Sequence, residues 1–250
     1  MSDTRINIRG VGFDNVTLAE AADFLRRRAG EGVCGSAVFT PNSEIVQMCI
    51  EDAALCATVN SAALVIPDGI GVVKAARILG TPLKGKVAGV ELGREVLAFA
   101  AGDGLPVYFL GGKPGVAEAA AEKMREAYPA LQICGMHDGY FQKSGEENDA
   151  VLNLINESGA KILFVCLGAP AQEKWIAQNK DRLPGVQILM GLGGSLDVYA
   201  GTVKRAPKIF IKLGLEWLYR LLKEPRRIGR MMSLPKFYFG TWRYKLAGKK

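Results

Sequence analysis

Asp68 stands in Ile66-Pro-Asp-Gly-Ile-Gly71, where an apolar run ends and glycines begin. Glycine allows a ligand to approach the backbone closely. A carboxylate at such a point can take a proton from an acceptor hydroxyl, a step that contributes about 10²–10⁴-fold in rate. Aspartate also caps helix N-termini well, and spacing alone leaves both roles open. Thr40-Pro-Asn42 ends another apolar run. Pro41 bars helix at Thr40 and leaves two polar side chains at a strand end; equally, Asn42 or Ser43 caps a following helix. Gln172 and Glu173 fall in the first turn after Leu167-Gly-Ala-Pro170, where an amide can bind a sugar or phosphate or simply meet solvent. Gly111-Gly-Lys-Pro-Gly115 follows an apolar run and leads into helical spacing, the arrangement that aims free backbone N–H groups at a phosphate; an ordinary tight turn reads the same way. Gly191-Leu-Gly-Gly-Ser-Leu-Asp197 has similar character, with Asp197 available to a ribose or sugar hydroxyl. His137, the only histidine, suits a structural role better than solitary catalysis, and no D-x-D or His/Cys/carboxylate cluster argues for a divalent metal.

These turns need a frame. Thr17-Leu-Ala-Glu20 reads as a capping box opening a helix to about residue 29. Thereafter β-rich apolar runs at residues 36–40, 63–66, 106–110, 132–135, 161–167 and 186–190 alternate with helical spacing at 43–57, 115–128, 149–158 and 172–181. Nearly all-apolar strands joined by helices imply an α/β fold: a Rossmann-like parallel sheet flanked by helices. Ligands of such sheets sit at the carboxyl ends of the strands, which is where every turn named above falls. Neither G-x-G-x-x-G nor G-x-x-x-x-G-K-[ST] occurs, so the specific nucleotide fingerprints are missing.

Charge divides the chain. Residues 204–250 hold 14 Lys or Arg against Glu216 and Glu224, a net +12, so the first 203 residues carry −5, the difference from the +7 of the whole chain. The expected organisation is a catalytic core over 1–203 and a basic, aromatic, helical appendage over 204–250. Trp217, Tyr219, Phe237, Tyr238, Phe239, Trp242 and Tyr244 interleave with the basic residues, as at a surface that meets anionic head groups. An acidic core offers no extended positive track for nucleic acid. The most apolar stretch of the tail, 209–222, is interrupted by Lys212, Glu216 and Arg220, so no span is expected. The opening residues lack an apolar signal region, and five cysteines without a C-x-x-C pair suit reduced thiols; the expectation is a cytoplasmic protein peripheral on the inner face of the cell membrane.

Nine segments in order, TPN (40–42), IPDGIG (66–71), VAGVEL (87–92), FLGGKPG (109–115), DGYF (138–141), LGAPAQEKWI (167–176), GLGGSLDVYAG (191–201), KRAP (204–207) and EWLYRLLKEPRRIGR (216–230), resemble the WecG/TagA/CpsF glycosyltransferases over about residues 6–238. The resemblance implies an inverting, metal-independent and cofactor-free transfer of N-acetylmannosamine from a UDP donor to polyprenyl-diphosphate-linked N-acetylglucosamine, in teichoic acid linkage-unit synthesis. It places the family's base on Asp68 and pocket-lining polar residues on Thr40, Asn42 and Gln172. It puts arginines that hold the lipid diphosphate on Arg220, Arg227 and Arg230, within an appendage that closes over the site, and it implies self-association. Where relatives carry Arg, Lys86 keeps the charge without a bidentate fork. Two alternatives remain: a WecG-type transfer of N-acetylmannosaminuronic acid, and a nicotinamide-dependent oxidoreductase on the same kind of sheet.

Overall fold

The computed structural model describes residues 5–203, 207, 210, 219 and 233–248. Six parallel strands form the sheet in the order β4-β3-β8-β7-β5-β6: β3 (Ser36–Phe39), β4 (Leu64–Val65), β5 (Val107–Gly111), β6 (Ile133–His137), β7 (Ile162–Cys166) and β8 (Ile188–Gly191). All six expected strands are present, and the fold is Rossmann-like. A two-stranded antiparallel hairpin precedes it, β1 (Ile6–Ile8) and β2 (Val11–Phe13), which the sequence pattern did not signal because its strands have three residues each.

Successive side chains of a strand point to opposite faces, and the core follows that rule. Phe39, Val65, Leu110, Val165 and Leu189 belong to one apolar layer, Val38, Leu64, Phe109, Phe164 and Met190 to the other. The first layer is covered by α2 (Ser43–Glu51), α3 (Ala53–Asn60), α4 (Ile70–Leu79), α7 (Glu146–Glu157) and α8 (Ala171–Asn179). The second is covered by α1 (Leu18–Gly30), α5 (Gly89–Asp103), α6 (Val116–Ala127) and α9 (Ser195–Tyr199). At the head of α1 the capping box is formed: Thr17 Oγ1 accepts from Glu20 N and Glu20 Oε2 from Thr17 N.

One expected helix is two. Residues 43–57 break at Asp52, which is extended and whose Oδ1 accepts from Leu55 N, so it caps α3 while ending α2. Periodicity carries across such a break because the apolar spacing resumes within one residue.

A C-terminal helix, Ser233–Leu246, lies against α2 and α4. Phe237 is 0% exposed and belongs to the first core layer, and Thr241 is buried behind it. The expected tail helix near 211–222 lies, apart from residue 219, outside the described residues.

Candidate active site

Neighbouring strands β3 and β8 send their connections to opposite faces, β3 into α2 and β8 into α9. Diverging loops leave a crevice at the carboxyl ends of the two strands, the place where open α/β sheets bind ligands. Thr40 lies at the end of β3 in this crevice, buried, with its hydroxyl donating to Gly191 O of β8 at 3.3 Å. Across from it stands Gly89, the first residue of α5, where a Cβ would come within 3.1 Å of Thr40 Oγ1. The first turn of α5 has no side-chain cap.

Two readings open in the sequence are decided by geometry. Asn42 does cap α2, its Oδ1 accepting from Glu44 N at 2.9 Å and Ile45 N at 3.1 Å. Its carbonyl oxygen is thus engaged by the backbone. Asp68 does not cap α4: that position belongs to Gly69, at φ +96°, and the helix begins at Ile70. The half-buried Asp68 instead sits in the strand-end loop, with its N–H donating to Pro41 O at 3.3 Å. A Cβ on Gly69 would be 3.8 Å from Asn42 Cβ, so the Asp68 and Asn42 loops touch. Val87 N donates to Pro67 O at 3.0 Å, which brings Lys86 beside the same loop.

Gln172, buried at the head of α8, is fully engaged. Its Oε1 accepts from Gly193 N at 2.8 Å, and its Nε2 donates to Glu173 Oε1 at 2.9 Å. It therefore braces the turn after β8. Asp197 follows that turn with its carboxylate over Gly194. Farther along the sheet, Gly111 at φ +129° leaves room for Cys166 of β7, where a Cβ would strike the carbonyl, and Gly112 N donates to Cys166 O at 3.2 Å. Gly115, in the left-handed region, stands at the N-cap of α6 without a side-chain cap. His137 is at the far edge of the sheet on β6, its Nδ1 within 2.9 Å of Asp138 O and its ring edge-on to Phe141. Among the described residues, no three His, Cys, Asp or Glu side chains converge to hold a metal ion. Arg220, Arg227 and Arg230 lie outside the described residues.

The whole chain compares directly with known proteins. Residues 6–250 match the glycosyl transferase WecG/TagA/CpsF family. N-acetylglucosaminyldiphosphoundecaprenol N-acetyl-beta-D-mannosaminyltransferases of Staphylococcus aureus strains MW2 and MRSA252 are each 35% identical over 247 residues, 98% of this chain and 95% of theirs. The chain belongs to the WecG/TagA/CpsF glycosyltransferase family. With that assignment the oxidoreductase alternative falls.

In this WecG/TagA/CpsF chain the C-terminal aromatics do not act as one surface. The expectation of a membrane contact from Phe237 onward is corrected at Phe237, which is an interior residue, whereas Phe239, Trp242 and Leu246 are 72%, 50% and 81% exposed. Helical spacing puts these three on the face opposite Phe237 and Thr241. Tyr238 turns toward the site: its hydroxyl is 3.5 Å from where a Cβ of Gly71 would stand, three residues after Asp68. Tyr238 and the buried Glu173 are the residues near the crevice to which sequence reasoning gave no role there; an aromatic in a basic tail reads as surface, and a Glu in a first helical turn reads as solvated.

Proposed function

We propose that this chain transfers N-acetylmannosamine from a UDP donor to undecaprenyl-diphosphate-linked N-acetylglucosamine, forming a β-1,4 bond in teichoic acid linkage-unit synthesis. The near full-length similarity to enzymes named for that transfer supports the substrates. The single observation that carries the site is Asp68: a half-buried carboxylate in a loop joined to Pro41 and packed on Asn42, standing before the helix rather than capping it.

In this reading Asp68 accepts the proton of the acceptor's 4-hydroxyl as that oxygen attacks the anomeric carbon of the donor sugar. The bond from that carbon to the diphosphate breaks on the opposite face, and UDP departs with the electron pair. Configuration is inverted, and Asp68 returns its proton to solvent. Thr40, Asn42 and Gln172 shape the pocket around the donor. Lys86 faces the donor's phosphates, the turn at Gly111, Gly112 and Gly115 beyond β5 bounds the far side of the donor, and Asp197 takes a ribose or sugar hydroxyl. Arg220, Arg227 and Arg230 hold the acceptor's diphosphate, where guanidinium forks suit the oxygen geometry. No metal or cofactor takes part.

The acceptor's polyprenyl chain stays in a bilayer, so the enzyme works as a peripheral protein at the inner face of the membrane. No helix among the described residues is long and apolar enough to cross it. Phe239, Trp242 and Leu246, with Arg243 and Lys245 on the same helix, form the contact, while Lys236 is paired with Glu51 of α2; each basic residue near an anionic leaflet contributes about 1 kcal/mol, and aromatic rings rest at head-group depth.

A UDP-release assay with a panel of UDP-sugars and a short-chain lipid-diphosphate N-acetylglucosamine acceptor tests the assignment. UDP-N-acetylmannosamine is expected to support turnover, and Asp68→Asn to lower kcat about 10²–10⁴-fold while UDP binding holds. Wild-type turnover by Asp68→Asn removes Asp68 from the mechanism, and preference for UDP-N-acetylmannosaminuronic acid replaces the donor.

A further inference from the structure

Glu173, on α8, is 1% exposed, with Oε1 accepting from Gln172 Nε2 and, among the described residues, no hydrogen-bond partner for Oε2. Among the described residues, no Lys, Arg or His pairs with it in an ion pair. Burial of an unpaired carboxylate is strongly disfavoured, and burial pushes this carboxyl up from its ordinary 4.5 toward the neutral acid, with the Gln172 bond opposing. An apolar side chain of the same volume would avoid that cost. What Glu173 has that a methionine lacks is one acceptor aimed at Gln172.

That bond leads into the crevice. A glutamine amide is planar, so fixing Nε2 fixes the direction of Oε1. Gln172 Oε1 accepts from Gly193 N, and Gln172 Nε2 lies 3.1 Å from where a Cβ on Gly191 would stand. Gly191 O in turn accepts the Thr40 hydroxyl. A flipped amide would set Gln172 Nε2 against the Gly193 N–H, donor to donor, and lose that bond. We propose that Glu173 is a positioning residue: acting through Gln172, it holds the Gly191-Leu-Gly193 turn in the one shape that receives the UDP-sugar, and so sets donor affinity. The inference rests on the reading of this crevice as the donor site.

Three variants of the full chain separate the bond from the charge and the volume. Glu173→Gln still offers an oxygen to Gln172 at the same reach; Glu173→Asp keeps the carboxylate but is one methylene short; Glu173→Met keeps the volume without an acceptor. Glu173→Gln is expected within about twofold of wild type in donor KM, whereas Glu173→Asp and Glu173→Met raise it about tenfold with acceptor KM and saturated kcat little changed. Amide hydrogen exchange over residues 191–196, which needs no substrate, should quicken in Glu173→Asp and Glu173→Met and stay protected in Glu173→Gln. Wild-type donor KM and exchange in Glu173→Met, or an Asp variant that outperforms the Gln variant, overturns the proposal; should the Met variant not fold, the Gln and Asp variants decide alone. Altered exchange in a protein whose wild type binds no UDP-sugar leaves the positioning bond standing and removes the donor reading instead.

Discussion

At the scale of single residues, two of the polar side chains around the crevice hold backbone, and a third, Asp68, stands one residue before the N-cap of α4. Asn42 caps and Gln172 braces, so both shape the pocket chiefly through the backbone they hold. Gly69, not Asp68, is the N-cap of α4, and as the proposed base Asp68 should affect turnover more than folding when it is replaced by the isosteric Asn. Glu173 yields a separate prediction about pH. Its raised pKa means the native state keeps a proton that the unfolded chain has released, so its contribution to stability is full below about pH 4.5 and is lost as pH rises through the raised value. Cys49, the titratable group beside it, stays a neutral thiol, pushed up to about 12 by burial. Glu173→Gln should therefore flatten the fall in melting temperature above pH 4.5, seen in thermal melts across pH. The lowered carboxylates of Glu20, Glu51, Asp52 and Asp103 are ionised already in that window, so a slope that survives the substitution belongs to another group.

At the scale of elements, α4 and α2 meet so closely behind Asp68 that only glycine fits at position 71. A Cβ there would overlap Ser43 Oγ. Glycine to alanine inside a helix normally gains up to about 1 kcal/mol, but here overpacking by a buried methyl costs about 1–3 kcal/mol and decides the sign. Gly71→Ala should thus destabilise, and Ser43→Ala in the same chain should restore most of the loss; additive effects in a denaturant double-mutant cycle would show that the two positions do not collide. The hairpin and the C-terminal helix meet in a comparable way. Arg9, in the left-handed region at φ +57°, stacks 5.1 Å over the Tyr244 ring and lies where a Cβ on Gly240 would reach its Nη1. A Gly240→Val wedge is expected to undock the helix, raising hydrogen exchange over residues 233–246 while exchange in the sheet stays slow. The strands and most helices behind this were legible because apolar runs and 3.6-residue spacing are local signals; the break at Asp52 and the three-residue strands of the hairpin were not, because each depends on a cap or a pairing partner rather than on period.

At the scale of the whole molecule, a core of net −5 carries a tail of +12, and one helix of that tail is divided between the interior and the outside. Burying Phe237 stabilises the docked helix by about 1.5–3 kcal/mol, which leaves Phe239, Trp242 and Leu246 directed outward together. Replacing these three by alanine should weaken flotation with anionic liposomes without lowering the melting temperature, and the remaining attachment should weaken with salt as the basic residues are screened. Equal flotation by the triple variant would place the membrane contact elsewhere. The sequence by itself determined the parallel sheet, the strand ends where chemistry lies and the family, since these follow from local pattern and from motifs kept in order. Only the tertiary structure decided that Asp68 is not a cap, that Phe237 is core while Phe239 is surface, and that Glu173 is buried with one working oxygen. Each of those turns on which distant segment packs against the residue, and residues 42 and 69, or 173 and 193, are neighbours only once the sheet has brought its strand ends together.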